Sequence, residues 1–369
     1  MKVLFWSEFF WPYIGGSEVF ATSLLSELLR RGHEFLVIAT HVDPRLPDKY
    51  DFMNIPVHLF HFREAIERHD IDRITAICEQ ISKLKREYNQ DLIHMNSTGP
   101  IDIFHHLTEK AKPTPFILTL QQHLPPDTLT PRTVPGQTLR KSDWIVCCSD
   151  SLLYQTRELV PEVGSRSSTI LNSIKEPELI PQPLPFETPI LLCLGRLLYF
   201  KGFDIAVNAL SRVVSHFPKA RLVIAGDGPM RSELDQQVND LGLTEMTDFL
   251  GWVAPDKVPD LINAATLLLM PSRWEGLPLV ALEAAMMARP IVATNVGGLK
   301  EAVSHGQTGF LVEPEDVSGF AEAVITFLKN PALAVDMGKT ARRRAKEMFG
   351  FERHVDAYDQ LYHRIGQKH

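Results

Sequence analysis

"LLLMPSRWEGLPLVALEAAMMARPIVATN" (267–295) contains two strand-like apolar runs, "LLLMPS" (267–272) and "PIVATN" (290–295). A turn carrying Trp274, Glu275 and Gly276 and an Ala-rich segment of helical length separate them. Two strands joined by a helical crossover lie parallel, and a parallel sheet is covered on both faces. The same alternation runs outward through the chain. "KVLFWS" (2–7), "SEVFATSLLSELLRRG" (17–32) and "FLVIAT" (35–40) begin it, and "DLIHMN" (91–96), "FILTL" (116–120) and "WIVCCS" (144–149) continue it. The helix after the last of these takes Ser149 or Asp150 as its N-cap. "PILLCLGR" (189–196) and "ARLVIAG" (220–226) open a second series. Between the two series, "EPELIPQPLPFETP" (176–189) has five prolines and no apolar period, so it reads as an extended linker. The fold class is therefore α/β, with two doubly wound parallel-sheet domains at 1–180 and 187–350.

Bulk composition agrees. A length of 369 residues with 44% hydrophobic content exceeds one core of usual size and leaves room for a ligand cleft between two domains. Lys and Arg number 38 against 45 Asp and Glu, a formal charge of −7, which argues against a nucleic-acid partner. Cys78, Cys147, Cys148 and Cys193 have no zinc-ligand spacing, and their use suits a reducing, cytoplasmic setting. Glu8 interrupts the apolar start, which reads as a buried strand rather than a signal peptide. No uncharged apolar run approaches the roughly 18 residues of a membrane span. The run "GKTARRRAKEM" (338–348) reads as a solvated helix face, with peripheral contact to anionic lipid as the alternative. In "FERHVDAYDQLYHRI" (351–365), Phe351, Val355, Tyr358 and Tyr362 fall at three- and four-residue spacing and give a terminal helix one aromatic face.

Ligands of doubly wound domains bind where strands end and turns gather. Gly15-Gly16, Gly195, Gly226, Gly228 and Gly297-Gly298 fall at such turns, although a strand-to-helix turn needs glycine with or without a ligand. Arg196 and Lys201 put two cations near one strand end, where a diphosphate would receive charge-assisted hydrogen bonds; pairing with surface acids is the plainer alternative. Pro278 suits a first helical position, so a helix should begin near 276–278, with Glu275 just ahead of it and the N–H groups of Gly276 and Leu277 free to meet an anion or a sugar oxygen. Glu283 then falls among Leu279, Val280 and Leu282, where a carboxylate needs a partner: a backbone turn, Arg196 or the vicinal hydroxyls of a ligand. Two acids, two cations and several glycine turns at one sheet edge favour the ligand.

These stretches resemble a known family. "GRLLYFKGFDIAVNAL", "LVIAGDGPM" and "PSRWEGLPLVALEAAMMARPIVATNVGGLKEAV" look like the successive donor-site motifs of the family 4 glycosyltransferases, and "WPYIGGSEVFATSLLSELLRRGHEFLVIAT" looks like that family's N-terminal loop and first helix. Glu275 and Glu283 match its Glu-x7-Glu pair. The resemblance implies the GT-B fold, two Rossmann-like domains facing a central cleft, and a C-terminal helix (351–369) that crosses back to the first domain. It further implies transfer of a glycosyl group from a nucleoside-diphosphate sugar, UDP- or GDP-linked, to a glycan, lipid or small-molecule hydroxyl acceptor with retention at the anomeric carbon. Arg196 and Lys201 would neutralise the diphosphate. Glu283 would bond the ribose hydroxyls, Glu275 with the Gly276 and Leu277 amides would hold the sugar, and Gly15, Gly16 and Gly226 would line the donor site. Charge growing on the leaving diphosphate would be stabilised by these cations and amides, so neither metal nor cofactor is expected. Asp70-Ile-Asp72 has a metal-binding pattern but opens a helix, where acids suit the dipole.

The family's N-domain histidine is displaced. Counted from Thr119 in "LTLQQHLPP", Gln121 occupies its place and His123 is the nearest histidine; either the loop bulges so that His123 reaches the site, which makes it the expected fourth catalytic residue beside Glu275, Arg196 and Lys201, or Gln121 stands in as a hydrogen-bonding group that takes no proton at neutral pH. His94 reads as structural. The competing readings are a catalytically silent sugar-nucleotide binder and a related phosphorylase; a nicotinamide dehydrogenase is disfavoured because "GDGPMR" lacks the third glycine of its fingerprint.

Overall fold

The computed structural model describes residues 1–13 and 15–367, which divide into two compact units, 1–13 and 15–171 with 352–367, and 172–351. The first unit is built on an eight-stranded sheet: β1 (Lys2–Ser7), β2 (Glu34–Thr40), β3 (Lys49–Phe52), β4 (Ile55–Phe60), β5 (Leu92–Met95), β6 (Phe116–Leu120), β7 (Trp144–Cys147) and β8 (Ser167–Thr169). Their order across the sheet is β3-β4-β2-β1-β5-β6-β7-β8. β1, β2, β5 and β6 are apolar along nearly their whole length because helices cover both faces, as a parallel sheet requires. The helix Gly16–Arg30 turns Phe20, Ala21, Leu24, Leu25 and Leu28 inward at helical spacing. Ser149 is the N-cap of the helix Asp150–Leu159 and accepts from the Leu152 N–H at 3.2 Å.

One part of this sheet departs from the all-parallel expectation. β3 pairs antiparallel with β4 through a two-residue turn in which Met53 and Asn54 take φ of 50° and 66°, the left-handed pair typical of a tight hairpin.

The terminal helix Phe351–Gly366 belongs to the first unit. Its Val355, Tyr358 and Tyr362 are buried, Arg31 pairs with Asp356 at 2.6 Å, and His33 meets Asp359 at 2.8 Å. The sequence's aromatic stripe is thus core.

The second unit holds a six-stranded parallel sheet, β9 (Ile190–Leu194), β10 (Arg221–Ala225), β11 (Thr247–Gly251), β12 (Leu267–Met270), β13 (Ile291–Thr294) and β14 (Gly309–Val312), ordered β11-β10-β9-β12-β13-β14. Its core includes Leu210, Val213, Phe320, Val324 and Phe327 from the helices Phe203–His216 and Val317–Lys329. The segment read as a free linker is instead fastened to this unit. Asn172 donates to the Leu277 carbonyl at 2.9 Å, and the buried Arg289 donates to the Gln182 carbonyl at 2.9 Å and to Asn263. Residues 172–180, placed by the sequence reading in the first domain, therefore lie in the second unit. A proline-rich stretch has few N–H donors of its own, so its carbonyls are satisfied from outside, here by an arginine.

Candidate functional site

In the second unit the strand order reverses between β9 and β12, neighbours in the sheet whose connections depart to opposite sides. The crevice beyond such a switch point is where a doubly wound sheet accepts a ligand. The turns that leave it, residues 195–202 and 271–278, contain Arg196, Lys201, Glu275, Gly276 and Leu277. Backbone contacts bind them to their neighbours. Leu197 N–H donates to the Asp227 carbonyl at 2.9 Å, Met230 N–H to Leu197 at 3.0 Å and Arg273 N–H to Phe200 at 2.7 Å. A Cβ on Gly226 would stand 1.9 Å from the Gly195 carbonyl oxygen, and one on Gly298 would stand 1.7 Å from that of Gly276. These glycines are required by close packing of turn on turn, and Gly226, with φ of 138°, by its backbone as well.

The two cations have different surroundings. Lys201 Nζ lies 2.6 Å from Glu275 Oε1, which also accepts from Ser272 Oγ at 2.7 Å. The lysine expected to be free for a diphosphate is thus already paired with the acid expected to hold the sugar, because burial of the Glu275 side chain demands a counter-charge. Arg196 is exposed, and its guanidinium has no partner among the described residues. Arg273 is engaged by Asp204 and Glu315, at 2.8 Å and 2.7 Å, and stays out of the site.

The helix behind the turn runs Leu279–Met286, with Pro278 as its N-cap rather than its first residue. The N–H groups of Gly276 and Leu277 make no hydrogen bond to a described residue, although both residues are buried. Glu283 is half-buried in this helix, and neither Arg196 nor a backbone group meets its carboxylate; it has no partner among the described residues. Desolvation by the surrounding protein raises its pKa to about 7. Two unpaired backbone donors and an unpartnered acid among the described residues thus follow one strand of the switch point, β12.

The first unit has its own switch point, between β1 and β5. Gly15 caps the helix Gly16–Arg30, and a Cβ on Gly16 would meet nothing within 4 Å, so neither packing nor backbone strain calls for glycine there. Asn96 donates to the Ser17 carbonyl at 3.3 Å and accepts from Gln121 Nε2 at 3.4 Å. Gln121 therefore faces the strand-end cluster, whereas His123 lines a small cavity with Leu124, Leu129 and Leu152. His94 is fully buried between Tyr362 Oη (2.6 Å) and Thr119 Oγ1 (2.8 Å), and burial lowers its pKa to about 3. It is a neutral structural group. Asp70 caps the helix Ile71–Tyr88 through the Arg73 N–H at 3.0 Å. In the basic helix, Arg342 and Lys346 pair with Glu176, and Arg344 donates to the Glu301 carbonyl. Sequence reasoning did not find Ser272 as a partner of Glu275, nor Glu8, whose buried carboxyl accepts from Arg63 at 2.7 Å at the end of β1 and is raised by desolvation. An acid directly after an apolar strand was the available signal for Glu8.

Residues 175–344 match the family model described as "Glycosyl transferases group 1", and residues 14–175 the model described as "Glycosyltransferase Family 4". The chain is similar to N-acetyl-alpha-D-glucosaminyl L-malate synthase of Bacillus anthracis, with 27% identity over 96% of this chain and 95% of that one. It is also similar to glycogen synthase of Mycobacterium tuberculosis, 35% identical over 61% of this chain and 55% of that protein. Among solved structures, sucrose-phosphate synthase from Thermosynechococcus elongatus superposes with a TM-score of 0.83 at 20% identity, covering 98% of both chains. Anabaena Alr3699/HepE, solved in complex with UDP-glucose, superposes with a TM-score of 0.81 at 20% identity, covering 99% of this chain and 100% of that one.

Proposed function

Since the chain belongs to the family 4 glycosyltransferases and has the GT-B fold, we propose that it moves a sugar from a UDP- or GDP-sugar to a hydroxyl acceptor with retention at the anomeric carbon and without a metal. The observation that carries this reading is Glu283, an acid held in an apolar helix with no partner among the described residues and a raised pKa. Vicinal ribose hydroxyls supply the two donors such a carboxylate lacks. Arg196, exposed and unpaired, takes the diphosphate, and Lys201 can add a second N–H bond to it while keeping Glu275. The free Gly276 and Leu277 amides and the Glu275 carboxylate bond the donor sugar. As the glycosidic bond breaks, charge accumulates on the diphosphate oxygens, and fixed donors already aimed there stabilise it more than they do the ground state. The names of the relatives, a glucosaminyl malate synthase and a glycogen synthase, support transfer of a glycosyl group, and the UDP-glucose complex of Alr3699/HepE supports UDP as the first nucleotide to try.

A thermal-shift panel with UDP, GDP, ADP, TDP and NAD, each with and without EDTA, tests it. A ligand at about 100 times its dissociation constant stabilises the fold by roughly 2.7 kcal/mol. UDP or GDP raising the melting temperature with EDTA present is the expected result; a shift with NAD alone, or with none of them, overturns the reading. A catalytically silent binder is the second reading, favoured by Gln121 standing in the place of the family histidine and bonding to Asn96. Release of free sugar or glycosylated acceptor from the donor that binds separates the two.

A further inference from the structure

The first unit contains a cavity of about 140 Å³ that the donor site does not use. It opens where β1, β2 and β4 end, beside the turn that leads into Gly15 and Gly16. Phe10, Trp11, Tyr13, Val42, Leu46 and Leu59 form its walls. Two of them stand open to solvent, Trp11 at 43% and Val42 at 42% exposure, and Trp11 is braced against Phe52 of β3, ring centroids 6.0 Å apart. The polar groups are few. Asp43 is occupied by Arg45, and the hydroxyl of the buried Thr40 is turned to the Glu8 carboxyl. A sugar ring presents a hydroxyl on nearly every carbon and would leave most of them unpaired against these walls, at a cost for each. An apolar cavity of about 150 Å³ accepts one benzene-sized ring.

We propose that this cavity seats a ring-sized apolar part of the acceptor. That the ligand is the acceptor rests on the transferase reading above; that an apolar ring binds here rests on the cavity alone. Exposed aromatic and branched side chains around a concave site are otherwise unfavourable in water, and a ligand that covers them removes the penalty. The position fits an acceptor because the open end of a doubly wound sheet is where substrates bind.

The test uses saturation-transfer NMR on the full chain with phenyl β-glucoside and methyl β-glucoside as probes, comparing the wild type with Val42→Trp, a rim substitution at an exposed position that closes the mouth without touching the core. The phenyl probe should bind at least tenfold more tightly than the methyl probe, since even one methylene in an apolar pocket is worth about tenfold or more. The substitution should remove that preference and leave UDP and GDP binding unchanged. Affinities of the two probes within twofold of each other, or a phenyl preference that survives Val42→Trp, would overturn the proposal. Nucleotide binding without phenyl preference would leave the transferase reading standing and the cavity assignment refuted. Phenyl preference lost in Val42→Trp, with no nucleotide bound by either protein, would uphold the apolar site and refute the transferase reading.

Discussion

Replacement of Glu283 by Gln should make the protein more stable and worse at binding its nucleotide. The carboxyl has a pKa of about 7 in the fold against an ordinary value of 4.5, from desolvation. The folded state therefore holds its proton more tightly than the unfolded chain does. Between those two values the fold binds more protons, so stability falls as pH rises from about 4.5 and reaches its full deficit above about 7. Each pH unit of that gap is worth about 1.4 kcal/mol, which sets an upper bound of about 3.5 kcal/mol. Water at the open side of the half-buried group reduces the bound, and we expect about 1–3 kcal/mol. The Glu283→Gln amide is nearly isosteric and uncharged at every pH. It should match the wild type within about 1 kcal/mol at pH 5, where the native carboxyl is protonated and only the unfolded chain has begun to ionise, and exceed it by about 1–3 kcal/mol at pH 8.

The same substitution removes a charged acceptor from the ligand. Hydrogen bonds to a charged group contribute about 1.5–3 kcal/mol, so the nucleoside diphosphate should bind about tenfold to a hundredfold more weakly. Urea unfolding at pH 5 and pH 8, with calorimetric titration of UDP and GDP, measures both effects. A variant less stable than the wild type at pH 8 would mean that Glu283 is paired within the protein, and the reasoning would fail. A stability gain with unchanged nucleotide affinity would refute the ribose assignment alone. The combination expected here, stability gained and binding lost, is characteristic of a group positioned for a ligand and not for the fold.

Arg196→Ala should leave unfolding within about 0.5 kcal/mol of the wild type, because the side chain is exposed and unpaired, while UDP or GDP binds about tenfold more weakly. Lys201→Ala should instead cost about 3 kcal/mol in urea unfolding, since it leaves the buried Glu275 carboxylate without its cation; equal stability of the two variants would refute the pairing. For His94, burial lowers the pKa to about 3 against 6.5, so the neutral ring contributes stability in full above about 6.5 that is lost as pH falls. By pH 5 that loss is about 2 kcal/mol. The stability advantage of the wild type over His94→Gln should shrink by about that amount between pH 7 and pH 5, and an advantage independent of pH would show that His94 is not neutral in the fold.

The parts of the fold legible in the sequence are those whose physics is local or periodic. β1, β6 and β12 are apolar on both faces and are bounded by turn residues, so their positions were read to within a residue or two. The β3–β4 hairpin escaped because its turn is Met53-Asn54, with no glycine to mark the left-handed pair, and because β3 alternates exposed and half-buried residues at the sheet edge. β8, at three residues, is too short to leave a pattern. The linker was misassigned for a different reason: its contacts with Asn263 and Arg289 come from residues 81 and 107 positions away, and nothing in a run of prolines announces them.

The site divides along the same line. Glycine at strand ends was visible, but what each glycine is for was not. Gly226 and Gly298 admit a neighbouring carbonyl and would be needed without any ligand, whereas Gly16 has empty space where its Cβ would be. Only the last has an absence that packing does not explain. The acids separate in the same way. Glu275 and Glu283 stood as a matched pair in the sequence, yet Glu275 is held by Lys201 and Ser272 while Glu283 is held by nothing among the described residues. A folded chain keeps a desolvated carboxyl only where removing it costs more elsewhere, and for Glu283 no described residue of the chain bears that cost. Protonation and water at its open side relieve that cost only in part, so the proposed ligand is better inferred from Glu283 than from the better-connected Glu275.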